Sequence, residues 1–134
     1  MTTSSQSRRR LNVALWIAQS LAFIFLGATG VAKLVVPIPT LAAMWVWPAQ
    51  YPDMLTRGTG LLDLAGALGI LLPSVTRILP GLTVPSALGC AALQVCAIAF
   101  HLMRGEAFVT PINLVVLATV AFVAWGRSGA SSKG

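Results

Sequence analysis

One acid stands inside a run that is otherwise nearly all apolar. Arg57 to Pro73 reads R-G-T-G-L-L-D-L-A-G-A-L-G-I-L-L-P, with Asp63 in its middle. A carboxylate among leucines at membrane depth is costly unless something pairs or protonates it, which makes it a functional candidate by default. Two other groups could answer it, His101 and Lys33. An acid and a base held together in a low-dielectric site suit proton transfer coupled to a lipophilic substrate, such as a quinone headgroup. His101 is the first choice of partner for Asp63, with Lys33 close behind. Asp63, His101 and Lys33 are therefore the candidate catalytic residues. Gln94, Asn113 and Arg57 join them as a candidate ligand-binding set.

These residues need elements to hold them. The chain reads as all-α, an integral membrane four-helix bundle. Residues 1–10 form a basic arm expected to be disordered, 11–127 the single transmembrane domain, and 128–134 a polar tail. The first span runs from Leu11 to Lys33 and puts Gln19, Leu26 and Lys33 on one face. Val35 to Tyr51 holds Pro37, Pro39 and Pro48, so it is not one helix. Thr40 is a candidate cap for a short turn, Leu41 to Trp47. Trp45, Trp47 and Tyr51 then read as an interfacial aromatic belt. The second span starts near Asp53 as N-cap and stops before Pro73. The third runs from about Thr83 to Met103, with Cys90, Gln94, Ala97 and His101 on one stripe. The fourth starts with Thr110 as N-cap and Pro111 at its first position, and ends at Trp125 with Gly126 as the stop.

Composition agrees. The 134 residues are 57% hydrophobic and 9% charged, against about 25% charged in a soluble domain. A single domain is expected at this length. The net charge of +6 does not point to nucleic acid, because the basic residues sit at helix ends rather than on one face. Arg8, Arg9 and Arg10 before an apolar run resemble a signal peptide. That run, Val13 to Ala32, exceeds a usual signal core of about 7–15 residues, so a retained first helix is expected. Arg8, Arg9, Arg10, Arg77, Arg127 and Lys133 lie on one side, and Lys33, Arg57 and Arg104 on the other. That asymmetry predicts both termini in the cytoplasm.

On this threading Lys33, Arg57, His101 and Asn113 converge in the outer half, with Asp63 and Gln94 nearer the midplane. A polar pocket open to the outer side is the natural expectation, since random anchoring would not favour one leaflet so strongly. Each residue also has a plainer reading. Asp63 suits a structural ion pair, and His101 an interfacial hydrogen bond. Lys33 and Arg57 suit interface anchors, Asn113 a helix cap, and the tryptophans belt anchors. Cys90 and Cys96 are six apart, about 9 Å along a helix and beyond disulfide reach, so they read as packing residues. A metal site is not expected: there is one His and three acids in the chain. No cofactor motif is evident.

Four pieces occur in order: G-A-T-G-V-A-K-L (Gly27 to Leu34), G-L-L-D-L-A-G-A-L-G-I-L-L-P (Gly60 to Pro73), H-L-M-R-G-E (His101 to Glu106) and N-L-V-V-L-A-T-V-A-F-V-A-W-G-R (Asn113 to Arg127). Together they resemble the DoxX-like family of small four-helix membrane proteins. The family usually carries Glu in the second helix, where this chain has Asp63, one methylene shorter. The resemblance implies a four-helix bundle in the cytoplasmic membrane of a bacterium. Family names point to thiosulfate:quinone oxidoreductase, hence to a quinone as ligand and a partner oxidoreductase. Other members resemble accessory subunits of superoxide-detoxifying and thiol-handling systems, and distant animal relatives look like receptor-assembly chaperones.

Three functional expectations follow. The first is an accessory subunit that binds a quinone or lipid beside a membrane oxidoreductase. The second is a stand-alone membrane enzyme performing isomerisation or ring opening with Asp63 and either His101 or Lys33. The third is an assembly chaperone that grips partner helices through the glycine face of the second span. A transporter fits less well, because no inverted repeat is visible. A homo-oligomer stays open.

Overall fold

The computed structural model describes residues 2–45 and 47–133; Met1, Val46 and Gly134, which belong to the expected arm, linker and tail, lie outside it. The described residues form helices and turns with no strand: α1 (Thr2–Val35), α2 (Ile38–Met44), α3 (Asp53–Thr76), α4 (Thr83–Met103) and α5 (Thr110–Lys133). Four of them, all but α2, are long and apolar enough to cross a membrane.

The burial pattern is that of a bundle solvated by lipid. Leu15, Ala18, Gln19, Ala22 and Leu26 of α1 face inward at helical spacing, as do Gly60, Asp63, Ala67 and Ile70 of α3. Between them, Val13, Ile17, Leu21 and Ile24 point outward and stay exposed. Large apolar side chains on the outside and small ones inside are what an apolar solvent permits, because close packing rather than water exclusion joins the helices. The four long helices form a ring: α1 packs on α3 and α5, and α4 completes it by packing on the same two. The chain alternates direction, so both termini lie at one end, the termini end. The α1–α3 linker and the α4–α5 turn lie at the other, the linker end.

The glycines set how closely these helices meet. A Cβ at Gly30 would lie 2.8 Å from the Leu64 nitrogen and 2.9 Å from the Gly60 carbonyl oxygen; one at Gly60 would lie 2.6 Å from Lys33 Cβ. Backbone therefore meets backbone where α1 crosses α3. On the next seam, a Cβ at Gly66 would meet the Cys90 sulfur, and one at Gly69 the Ser86 side chain.

Several helix boundaries differ from the sequence expectation. α1 begins at Thr2, so residues 2–10 continue the helix where a disordered arm is expected. Nothing in that polar tract breaks a helix already nucleated by the span. α3 runs through Pro73 to Thr76. Gln19 Nε2 donates to the Ile70 carbonyl at 2.7 Å, one turn before Pro73, and so meets a backbone acceptor in the turn that the proline disturbs. The helix ends instead at Arg77, which is left-handed at φ 61. Gly126 does not stop α5, which continues to Lys133. A Cβ there would run into the Leu15 side chain, so this glycine serves helix contact rather than termination.

The caps differ too. Asp53 is the first residue of α3 behind Pro52, and no side-chain cap bond forms there. Thr110 Oγ1 donates back to the Ala107 carbonyl at 2.7 Å rather than accepting a bond from the helix start. α2 starts at Ile38 because Pro39, with its fixed φ, suits a first turn, so Thr40 falls inside the helix.

The crossing generates a prediction. Gly30→Ala should destabilise the bundle by about 1–3 kcal/mol, since the atoms that it meets are backbone and cannot rotate away. Gly89→Ala, where nothing lies within 4 Å, should be neutral or stabilising by up to about 1 kcal/mol. Reversible unfolding in mixed micelles would compare them; equal costs would refute the close crossing.

Candidate functional site

At the glycine crossing the last turn of α1 lies against α3, and this brings Lys33 to Asp63. Lys33 Nζ stands 2.8 Å from Asp63 Oδ2, with side-chain exposures of 18% and 6%. Thr29 Oγ1 is 3.5 Å from the same oxygen and also donates to the Leu26 carbonyl. The expected first partner, His101, does not meet Asp63. Its Nδ1 lies 3.0 Å from Glu106 Oε1, in the turn after its own helix. Helices α1 and α3 are ring neighbours that cross backbone to backbone, whereas His101 sits at the far end of α4, where the chain folds back on it.

Arg57 ties off the neighbouring backbone. Its Nη1 donates to the carbonyls of Lys33 at 2.7 Å and Val36 at 2.8 Å. A helix leaves its last carbonyls without partners, and a cation there also opposes the negative end of the helix dipole. Arg57 thereby fixes the end of α1 from which Lys33 reaches.

The aromatic linker is more than a surface belt. Trp47 is 8% exposed. The Lys33 ammonium lies 5.8 Å from the Trp45 ring centre and 5.9 Å from that of Trp47, within the range of cation–π attraction. Trp47 meets Phe100 edge-on at 5.8 Å, and Phe100 in turn contacts Tyr51 and His101. Behind this layer sits a second charged group. Arg104 Nε donates to Glu106 Oε1 at 2.9 Å, and the guanidinium lies over Phe100 and Tyr51. The linker end thus holds two charge clusters separated by an aromatic layer.

Gln94 is buried at 5% exposure, and its Oε1 has no hydrogen-bond partner. The α3–α4 seam runs Gly69 against Ser86 and Gly66 against Cys90. One turn further the same register puts Asp63 level with Gln94 on the facing helix. Thr56, on the buried stripe of α3, is fully enclosed, and its hydroxyl also lacks a partner. Asn113 is half-buried and forms no side-chain hydrogen bond to another described residue. Among the described residues, shallow surface grooves include two along α1. One runs along α1 from Gln6 to Ile17, and the other lies between α1 and α3, lined by Gly27, Val31, Leu64 and Leu68 among others. Neither is lined by Asp63, Lys33, Gln94 or His101. Among the described residues, no three His, Cys, Asp or Glu side chains gather as a metal-binding group.

Sequence reading missed Glu106, Trp45 and Trp47 as members of the site. The signal was the short H-L-M-R-G-E turn, in which Gly105 at φ 72 reverses the chain and returns Glu106 to His101 and Arg104. For the tryptophans it was the two prolines before them, which fold the linker back over the bundle.

Two outcomes follow. Lys33→Met strands a buried carboxylate and should cost about 3–5 kcal/mol, whereas Lys33→Met with Asp63→Leu should recover most of that loss. A double-mutant cycle on micellar unfolding measures the difference, and additive costs would deny the pairing. Glu106 is held below its ordinary carboxylate range, first by the Arg104 hydrogen bond and then by that of His101. Its stabilising effect is complete above the ordinary range, near pH 4.3, and is lost as the pH falls through its lowered value. Hydrogen exchange in the α4–α5 turn should therefore accelerate only below about pH 4, and Glu106→Gln should show the fast exchange already at neutral pH.

A family model described as the DoxX-like family matches residues 17–123. No curated protein and no solved structure matches the chain. The matched segment runs from within α1 to within α5, covers α3 and α4 whole, and includes every residue of the Lys33–Asp63 site and its aromatic cover. The chain belongs to the DoxX-like family of membrane proteins.

Proposed function

We propose that this protein is an accessory subunit of a membrane oxidoreductase system and that it binds the polar head of a quinone or lipid beside the Lys33–Asp63 pair. The carrying observation is the pair of enclosed polar atoms without partners, Gln94 Oε1 on α4, which faces Asp63, and Thr56 Oγ1 on α3, two turns from Asp63 on its own helix. Buried polar atoms are nearly always hydrogen-bonded, so two such atoms near one buried ion pair favour a missing polar partner.

A quinone suits the donors present. Its carbonyls accept hydrogen bonds, and the Lys33 ammonium has donors beyond the one directed at Asp63. The Thr56 hydroxyl can donate as well. The groove lined by Gly27, Val31, Leu64 and Leu68 lies between α1 and α3, the helices that carry Lys33 and Asp63, and would take an apolar tail. Arg57 and Asn113 complete the proposed ligand-binding set, with His101 joined to it only through the aromatic layer. The partner oxidoreductase and a bacterial cytoplasmic membrane come from the family resemblance. The lysine and arginine asymmetry supports cytoplasmic termini.

A second reading rests on the 2.8 Å Lys33–Asp63 contact, a proton donor and acceptor shielded from water. The same residues would then perform isomerisation or ring opening on a lipophilic substrate, with Asp63 and Lys33 as the couple. His101 is engaged by Glu106 and takes no part in that couple.

Native mass spectrometry of the protein from mild detergent tests the proposal. A co-purifying quinone or lipid should be reduced at least tenfold in Asp63→Asn and in Gln94→Leu, with helicity unchanged. Absence of any ligand from all three proteins would sink the binding reading. Conversion of the captured molecule by the reconstituted protein alone, lost in Asp63→Asn but kept in His101→Ala, would decide for the enzyme.

A further inference from the structure

The termini end of the bundle carries a different kind of charge. Arg127 of α5 reaches across to α1 and lies 5.3 Å from the Trp16 ring centre. Its Nε donates to Gln19 Oε1 at 2.8 Å and its Nη1 to Asn12 Oδ1 at 2.9 Å. Both acceptors are neutral amides. The third nitrogen, Nη2, is enclosed and has no acceptor. The chain has only three acidic side chains, Asp53, Asp63 and Glu106, and all three belong to the linker end or the α3 interior below it.

The contrast between the ends is informative. At the linker end Lys33 has Asp63, Arg104 has Glu106 and Arg57 has two carbonyls. At the termini end none of Arg8, Arg9, Arg10, Arg77 or Arg127 pairs with a described carboxylate. Arg9 precedes Asn12 by three residues and Trp16 by seven, so it falls on the stripe that receives Arg127. On the adjoining flank of α1, a groove is lined by Gln6, Arg9 and Arg10 at one end and by Val13, Ala14 and Ile17 beyond. A cationic end followed by an apolar trough at membrane depth has the polarity of a phospholipid.

We propose that an anionic phospholipid docks at this end, with its phosphate between Arg9, Arg10 and Arg127 and an acyl chain along Val13, Ala14 and Ile17. The Arg127–Asn12 bond lies at the surface, so a phosphate can approach the guanidinium from the Nη1 side. A small rotation of the fork then brings Nη2 to a second phosphate oxygen, giving the bidentate geometry that arginine offers phosphates. Gln19 and Asn12 hold the fork until the phosphate displaces Asn12 from Nη1, and neither neutralises it. The site is independent of the ligand proposed at the linker end.

Titration of the full-length protein in mild detergent with phosphatidylglycerol or with phosphatidylcholine of the same chains, read by native mass spectrometry, tests this. The wild type should bind phosphatidylglycerol at least tenfold more tightly. Arg127→Gln, and separately the exposed pair Arg9→Gln with Arg10→Gln, should each remove most of that preference. Arg77→Gln, an equal charge change at the same end, should keep it. If Arg127→Gln does not fold, the exposed pair decides alone. Equal binding of the two lipids, or the same loss in Arg77→Gln, would overturn the proposal. Displacement of the lipid by millimolar inorganic phosphate would also overturn it, by assigning the site to a free anion.

Discussion

A charged pair enclosed by apolar helices leaves little tolerance for misplacement. Lys33 and Asp63 both give up hydration on burial, and their attraction repays that only at contact distance and with further partners. Much of the linker end serves that condition. Gly30 and Gly60 let α1 and α3 meet backbone to backbone. Arg57 fixes the end of α1 by gripping its last carbonyls. Trp45 and Trp47 lay polarisable faces near the ammonium, where bulk water would otherwise compete.

The two charged clusters of the linker end are close in space yet differ in environment. Lys33 and Asp63 lie within the bundle. Arg104, His101 and Glu106 lie in the turn at its rim, with Phe100, Trp47 and Tyr51 between. Because α1 and α4 are not ring neighbours, the described contacts joining these clusters pass through the aromatic side chains of the linker and α4. A change in the packing of Trp47 on Phe100 is therefore felt by both.

The fold was legible from the sequence because apolar length and helix-stop signals are local. Four spans, the proline-broken linker and the start and end of α4 all follow from residue type and spacing. The face of Gln19, Leu26 and Lys33 was legible for the same reason. Helix ends were less so. Pro73 and Gly126 carry stop signals in isolation, but Gln19 supports the turn before the first and Leu15 packs on the second. Pairing was the hardest to read. His101 and Lys33 are chemically equivalent answers to Asp63, and only the ring order of the helices, with the glycine crossing, separates them. Gly30 and Gly60 were visible as small residues, but nothing local shows that they face each other.

The order in which the pair is made has a consequence for biosynthesis. Lys33 precedes Asp63 by thirty residues, and the two sit on consecutive spans. A ribosome delivers the cation first, on a helix whose terminal position lets its ammonium stay at the interface. The acid arrives later, at the centre of the next apolar span, where alone it would resist entry into lipid. By then its counter-charge is waiting one helix away. α1 and α3 can therefore partition as a hairpin whose buried acid is already paired before α4 exists, and the insertion of α3 is tied to the prior placement of α1.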